Sequence, residues 1–366
     1  MSRTRDRVPS GPSVDPVAAA RLCSQLLSAP PAASALAVTE HLLAVQGQDP
    51  RGARLAIRAR THGLTAGEVD RALTEDRTLL ITWLNRGTLH LVASADYWWL
   101  HALTTPQLAT ANTRRLAQEG VSPDQADRGV LVVARVASDG PSTRRQLRGA
   151  LLSAGVPVQG QALVHILVLA SLRGLLVRGP MVDGEQAFVL ARDWLGVPPP
   201  ELEREQALAR LAHRYLVGHG PASDRDLAKW AGVTLGDSRR AFTSIAHELV
   251  DRPDGLAALT VEPDPNRACP PRLLGAFDPL LLGWVSREPY LGSHQGIVTV
   301  NGLFRPFALV GSRAVGTWTL TRGEVVLAPF AEIGSADAEA LRLDAQDVVR
   351  FLGLSGRPGK ALTQQP

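Results

Sequence analysis

Gly140–Leu147 reads GPSTRRQL, and Gly220–Leu227 reads GPASDRDL. Both open on Gly-Pro, continue with a small residue and a hydroxyl, and close on Arg-x-Leu. Proline stops any earlier helix, so Thr143 and Ser223 stand where the next helix needs a cap. Each is followed by a short helix, a glycine break (Gly155, Gly232) and a longer helix, QALVHILVLASLRG in one case and DSRRAFTSIAHELV in the other. After the first pair, LLVRGPMVDGEQAFVLARDW reads as two strands around Gly-Pro and Asp-Gly turn signals. Helix, turn, helix, hairpin is the winged-helix plan.

The same plan reads upstream. Asp49-Pro50 opens a helix running to about Thr61, and Thr65 with Glu68 forms a capping box for another. TLLITWLNRGTLHLV then reads as a hairpin turning at Asn85-Arg86-Gly87. The predicted fold is α+β and mainly helical, with three tandem winged-helix modules at residues 16–120, 121–200 and 201–264. PDPNRACPPR marks a linker, after which 265–353 is a β-rich C-terminal region with closing helices, Ser335 being the expected cap. Residues 1–15 and 354–366 read as tails. The competing reading is that Gly-Pro-capped helices recur by chance in a helical protein.

Composition narrows the class. Of the 39 basic residues only Lys229 and Lys360 are lysine, and the formal net charge is +4. Arginine pairs with phosphate through a rigid fork, although a GC-rich genome enriches it too. The longest apolar run, ALVHILVLASLRGLLV, is broken by His165, Ser171 and Arg173, short of the roughly 20 residues a membrane span needs. MSRTRDRVPSGPSVDP lacks the apolar stretch of a secretory signal, so a cytoplasmic protein is expected. Cys23 and Cys269 are too few for a disulfide framework, and the histidines lack HExxH or HxH spacing. Neither a metal nor a cofactor is expected.

Ala44–Arg60, AVQGQDPRGARLAIRAR, is the candidate site. The preceding helix is expected to end near Gly47, and Asp49 to cap the next with Pro50 at its first position. Gln46 and Gln48 would then straddle an extended link, where residues two apart point the same way. Both amides would face a helix start bearing Arg51, Arg54 and Arg58, an arrangement suited to phosphate. The plain alternative is that the glutamines satisfy carbonyls at helix ends and Asp49 is only a cap.

Together with RTLLITWLNRGTLHLVASADYWWL, GPASDRDLAKWAG and LLGAFDPLLLGW, this stretch resembles the AlkZ-like winged-helix DNA glycosylase superfamily, from roughly Val17 to Phe330. The resemblance implies three winged-helix modules forming a concave surface for double-stranded DNA. It also implies a Gln–aliphatic–Gln pair that releases bulky N7-alkylated purines, including those in interstrand crosslinks. Carried over, Gln46 and Gln48 are the catalytic pair of a monofunctional glycosylase. Gly47 departs from the pattern and leaves the packing beneath the pair looser. Glutamine at 48 places the chain near the crosslink-resistance branch, which implies self-resistance to a DNA-alkylating natural product.

Two amides suit that chemistry. Glycoside hydrolysis ordinarily needs an acid for the leaving group, but an N7-alkylated purine is already cationic and leaves neutral. One glutamine can orient water while the other faces the developing sugar cation. DNA contacts are expected from Arg51, Arg54, Arg58, Arg86, Arg144, Arg145, Arg148, Arg239 and Arg240. Arg287 or His294 would tip a hairpin near SREPYLGSHQGIVTVNG that enters a groove. Solvated helix faces are the alternative for each. Trp98 and Trp99 read as core, and Asp278 as a turn residue. The expected state is a monomer on nucleoid DNA without an obligate protein partner. The rival function is a non-catalytic winged-helix regulator, although such proteins usually dimerise and no dimer helix is evident.

Overall fold

The computed structural model describes residues 15–259, 268–354 and 362–364. Asp15, expected in a tail, caps helix α1 (Pro16–Ser24). Helix α2 (Ala35–Leu42) stops where Leu43 takes a φ of 63°, not at Gly47, and strand β1 (Val45–Gln46) follows at once. Asp49 caps α3 (Pro50–Arg58), accepting from the Arg51 and Gly52 N–H groups. Thr65 and Glu68 complete the capping box of α4 (Ala66–Thr74). Strands β2 (Leu79–Leu84) and β3 (Thr88–Ala93) form the first hairpin. Its turn uses positive φ at Asn85 and Gly87.

Helices α5 (Tyr97–Thr104) and α6 (Leu108–Gln118) lead into a second helical unit. It comprises α7 (Pro123–Ser138), α8 (Arg144–Ser153) capped by Thr143, and α9 (Ala162–Leu172). Strands β4 (Leu176–Val182) and β5 (Glu185–Leu190) and the short α10 (Ala191–Leu195) complete it. Gly179-Pro180 is not a turn: the ladder shifts register between Arg178 and Met181, and the chain reverses at Asp183-Gly184. A third unit holds α11 (Arg204–His219), α12 (Asp224–Ala231) capped by Ser223, and α13 (Leu235–Ser244). Its place for a hairpin is taken by single bridges, Ala222 to Ala257 and Leu249 to Leu259.

The C-terminal region contains β6 (Arg272–Leu274), α14 (Glu288–Leu291), β7 (Phe307–Val310), β8 (Arg313–Thr321), β9 (Glu324–Pro329), α15 (Ser335–Phe351) and β10 (Leu362–Gln364). These strands form a sheet in the order β10-β9-β8-β7-β6. Gly334, not Ser335, occupies the cap position of α15. The stretch expected as a groove-entering hairpin is α14 followed by a 3-10 turn, with one bridge from Val298 to Phe304. Half of the expected linker at 263–272, residues 263–267, lies outside the described residues.

The first two hairpins are one sheet, ordered β1-β3-β2-β4-β5 and joined where Ile81 meets Arg178. Side chains alternate across a strand, and here both faces are covered. Val45, Leu79, Ile81, Trp83, Leu89 and Leu91 pack into one core with α3, α4 and α7–α9. Leu80, Leu84 and Val92 pack into a second core with α1, α5 and α11. Double burial explains why β2 reads as an apolar run broken only by Thr82 rather than as an alternating one. It also isolates the polar residues at the middle of the sheet.

Candidate active site

Gln46 on β1 pairs with His90 on β3, and His90 pairs with Thr82 on β2. Residues opposite one another share a face, so three polar side chains form a row across an otherwise apolar wall. The Gly47 N–H donates to the Leu89 carbonyl at 2.7 Å. That bond makes Gln46 and His90 a non-hydrogen-bonded pair, in which Cα atoms stand about 4.5 Å apart and side chains come closest.

The row is buried yet poorly satisfied. Gln46 is 7% exposed and His90 3%. Gln46 Oε1, Thr82 Oγ1, Thr88 Oγ1 and both amide atoms of Asn85 are buried without a hydrogen-bond partner. Each such group costs about 1–3 kcal/mol, and native folds keep few of them. Clustered along one row and the adjoining turn, they describe a site built to receive something polar. The His90 ring is fixed by Nδ1, 2.9 Å from the Thr88 carbonyl. A carbonyl oxygen only accepts, so Nδ1 carries the proton and Nε2 presents its lone pair. Burial, reinforced by the charge of Arg86, pushes the His90 pKa down to about 3, leaving the ring neutral at physiological pH.

A cationic rim adjoins the row. Arg86, in the hairpin turn, donates to the Lys229 and Trp230 carbonyls at 3.1 and 2.9 Å. Lys229 donates to the Val285 carbonyl at 3.2 Å. Arg287 donates to the Leu281 carbonyl at 2.7 Å and lies over the Phe304 ring. Burial, then mutual repulsion, lowers the pKa of Arg86 and Lys229, and burial lowers that of Arg287. None of the three forms an ion pair with a carboxylate among the described residues. Three cations held by carbonyls give this rim a positive charge that can attract an anion.

The other expected residues divide. Gln48 is exposed, two positions beyond the buried Gln46, and Arg51 is exposed on the first turn of α3. Arg54 and Arg58 face inward, which corrects their expected place at a phosphate. Arg54 is paired with Asp70, and Arg58 with Asp344 at 2.9 Å and Asp347 at 3.1 Å. Helical spacing placed them correctly along α3, but Arg54 is covered by α4 and β4 and Arg58 by the C-terminal region. Arg144, Arg145 and Arg148 are exposed and line a shallow cleft of about 480 Å³ in the second unit, well apart in sequence from the glutamines. Arg239 pairs with Asp224, and Arg240 with Asp237 and Glu205, at the surface. His294 is exposed and stacks on Phe330.

Asp278 caps a short 3-10 turn but is also fully buried against Arg60, at 2.9 and 3.0 Å. Trp99 is buried, and its indole N–H donates to Asp96. His90, Thr82 and Lys229 went unmarked in the sequence. The available signal was Thr88-x-His90 alternation inside an apolar run, but its meaning depends on register with Gln46. At Gly47, a Cβ would lie 3.5 Å from Ile81 Cγ2, on the face opposite Gln46. The departure therefore touches the first core and not the site.

A family model for AlkZ-like DNA glycosylases matches residues 39–351. The chain belongs to the AlkZ-like DNA glycosylases. This AlkZ-like glycosylase is 28% identical over 364 residues to an interstrand DNA cross-link repair glycosylase of Streptomyces sahachiroi, covering 92% of this chain and 96% of the relative. The solved Streptomyces sahachiroi DNA glycosylase AlkZ matches it with a TM-score of 0.75 at 25% identity, over 96% of this chain and 98% of that one. Membership sets aside the non-catalytic regulator: the AlkZ-like chain is a DNA glycosylase. Among the described residues no helix is long and apolar enough to cross a membrane, and no three metal-ligating side chains gather.

Proposed function

We propose that this glycosylase hydrolyses the N-glycosidic bond of N7-alkylated purines in duplex DNA, bulky adducts and interstrand crosslinks included, in an organism exposed to a DNA-alkylating natural product. In this reading the three helix–helix units are winged-helix modules around the duplex, and the enzyme acts as a monomer in the nucleoid. The observation that carries it is the unpartnered, buried Oε1 of Gln46, which pairs across the sheet with His90, itself under the charge of Arg86. The nearest carboxylate in sequence, Asp49, is engaged by two backbone N–H groups of α3. A cationic purine needs no acid to leave; it needs a placed water, a dipole facing the sugar cation and a held phosphate. Gln46 and Gln48 supply the amides, while Arg86, Lys229 and Arg287 hold the backbone. The name of the Streptomyces sahachiroi relative supports crosslinks as substrates.

The test is base release from a duplex containing one N7-methyl-2′-deoxyguanosine, and from a duplex carrying an N7-linked crosslink, read as heat-labile abasic sites. Wild type is expected to release both, and Gln46→Ala/Gln48→Ala to slow release by roughly 10²-fold or more with the duplex still bound. Absence of release by wild type, or full activity of the double variant, overturns the proposal.

A further inference from the structure

We infer that His90 is a further catalytic residue, its Nε2 and the Oε1 of Gln46 together accepting the two hydrogens of the attacking water. The inference rests on the N7-alkylpurine reading above and assigns the water a site within it. Three observations carry it. Gln46 and His90 are direct cross-strand neighbours of the kind whose side chains lie closest. The His90 ring cannot turn to offer Nδ1, which is committed to the Thr88 carbonyl. Gln46 Oε1 has no partner of its own. The row thus presents two acceptors side by side on a wall that is otherwise apolar. A water donating one hydrogen to each turns its lone pairs outward, toward the bound nucleotide.

The step balances. The water oxygen bonds to C1′ of the sugar as the C1′–N9 bond breaks, and the bonding pair moves to N9, neutralising the cationic purine. The water's proton passes to Nε2 and from there to solvent. Arg86, the charged group facing His90 from the turn, disfavours a lasting imidazolium and returns the ring to its acceptor form. Thr82, next in the row on the far side of His90, has a buried, unpartnered hydroxyl as well.

Two substitutions separate this role from packing. His90→Asn keeps an amide N–H where Nδ1 donates to Thr88 and removes the distal acceptor, whereas His90→Gln places an amide oxygen near the position of Nε2. Single-turnover release of N7-methylguanine is measured at saturating enzyme, beside the Kd for a duplex containing a tetrahydrofuran abasic analogue. His90→Asn is expected to be slower by roughly 10²-fold with its Kd near that of wild type, and His90→Gln, whose amide oxygen can hold the water but not take its proton, to recover only part of the rate. Gln46→Ala/His90→Asn is expected to be little slower than the worse single variant, because both remove one water. A near-wild-type rate for His90→Asn, a Kd that weakens in step with the rate, or additive losses in the double variant overturns the inference. Should His90→Asn fail to fold, His90→Gln decides: a rate as low as that of Gln46→Ala overturns it. Wild type inert on N7-methylguanine defeats the underlying substrate reading, whereas an active wild type with an equally active His90→Asn defeats this inference alone.

Discussion

Arg58 and Asp344, 286 positions apart in sequence, meet at 2.9 Å in the interior and tie α15 to α3. Asp344 also accepts from the Leu273 N–H at 2.7 Å, so one carboxylate joins α3, β6 and α15. Burial opposes its charge, but attraction to Arg58 prevails and holds its pKa below the usual carboxylate value. Removing one partner of a buried pair strands the other charge. Asp344→Asn is expected to cost about 3–5 kcal/mol, read as a lowered midpoint in urea unfolding.

Gly52 lies where α3 presses against the loop before Asp278. A Cβ there would stand 2.2 Å from the Ala276 carbonyl oxygen, backbone that cannot step aside. Gly52→Ala should therefore destabilise by about 1–3 kcal/mol or more. Gly47→Ala should do the opposite, since its Cβ would meet Ile81 at an ordinary 3.5 Å and its φ lies outside the left-handed region. A gain of about 0.4–1 kcal/mol is expected from the stiffer unfolded chain and filled space. Thermal melting of the two variants side by side checks both signs.

Acid should weaken the fold through its buried histidines. Burial pushes both His90 and His219 down to about 3, whereas in the unfolded chain they take up protons near pH 6.5. Between those values the unfolded state binds more protons, so stability is present above pH 6.5 and lost as pH falls toward 3. The loss is about 1.4 kcal/mol per pH unit for each histidine. His219 stacks on Tyr215 with ring centroids 4.8 Å apart, so His219→Phe keeps the packing and removes the proton. It should flatten the fall in Tm between pH 6.5 and pH 4.5.

The cationic rim should show itself in salt. Lys229→Gln and Arg287→Gln are each expected to weaken duplex binding for all sequences alike. Each should also lower the slope of log K against log salt by about 1. Arg54→Gln and Arg58→Gln should instead leave the slope unchanged and lower Tm, because their charges are spent on Asp70 and Asp344. Anisotropy titrations over a range of salt distinguish the two groups.

Local signals in the sequence were reliable because they are settled within a few residues. The caps at Asp49, Thr65, Thr143 and Ser223 and the turn after Leu84 all follow from nearest neighbours. The end of α2 was misread because Leu43, not a glycine, takes the positive φ. What depended on distant chain was hidden. Nothing within α3 tells Arg51, exposed, from Arg58, buried beneath a helix that begins at Ser335. Likewise Gln46 was legible as a polar residue at a junction, but its pairing with His90 requires the strand register. Lys229 reaches the site only because α12 ends against the hairpin turn, where a Cβ on Gly232 would strike the Asn85 carbonyl.

The edge-to-edge union of β2 with β4 has a consequence for anyone dividing the chain. Repeats that look interchangeable on paper are welded through a shared ladder, so excising either one would bare a raw strand edge and half of each interior. Such fragments would be expected to clump rather than fold. The present enzyme is expected to rise and fall as one piece.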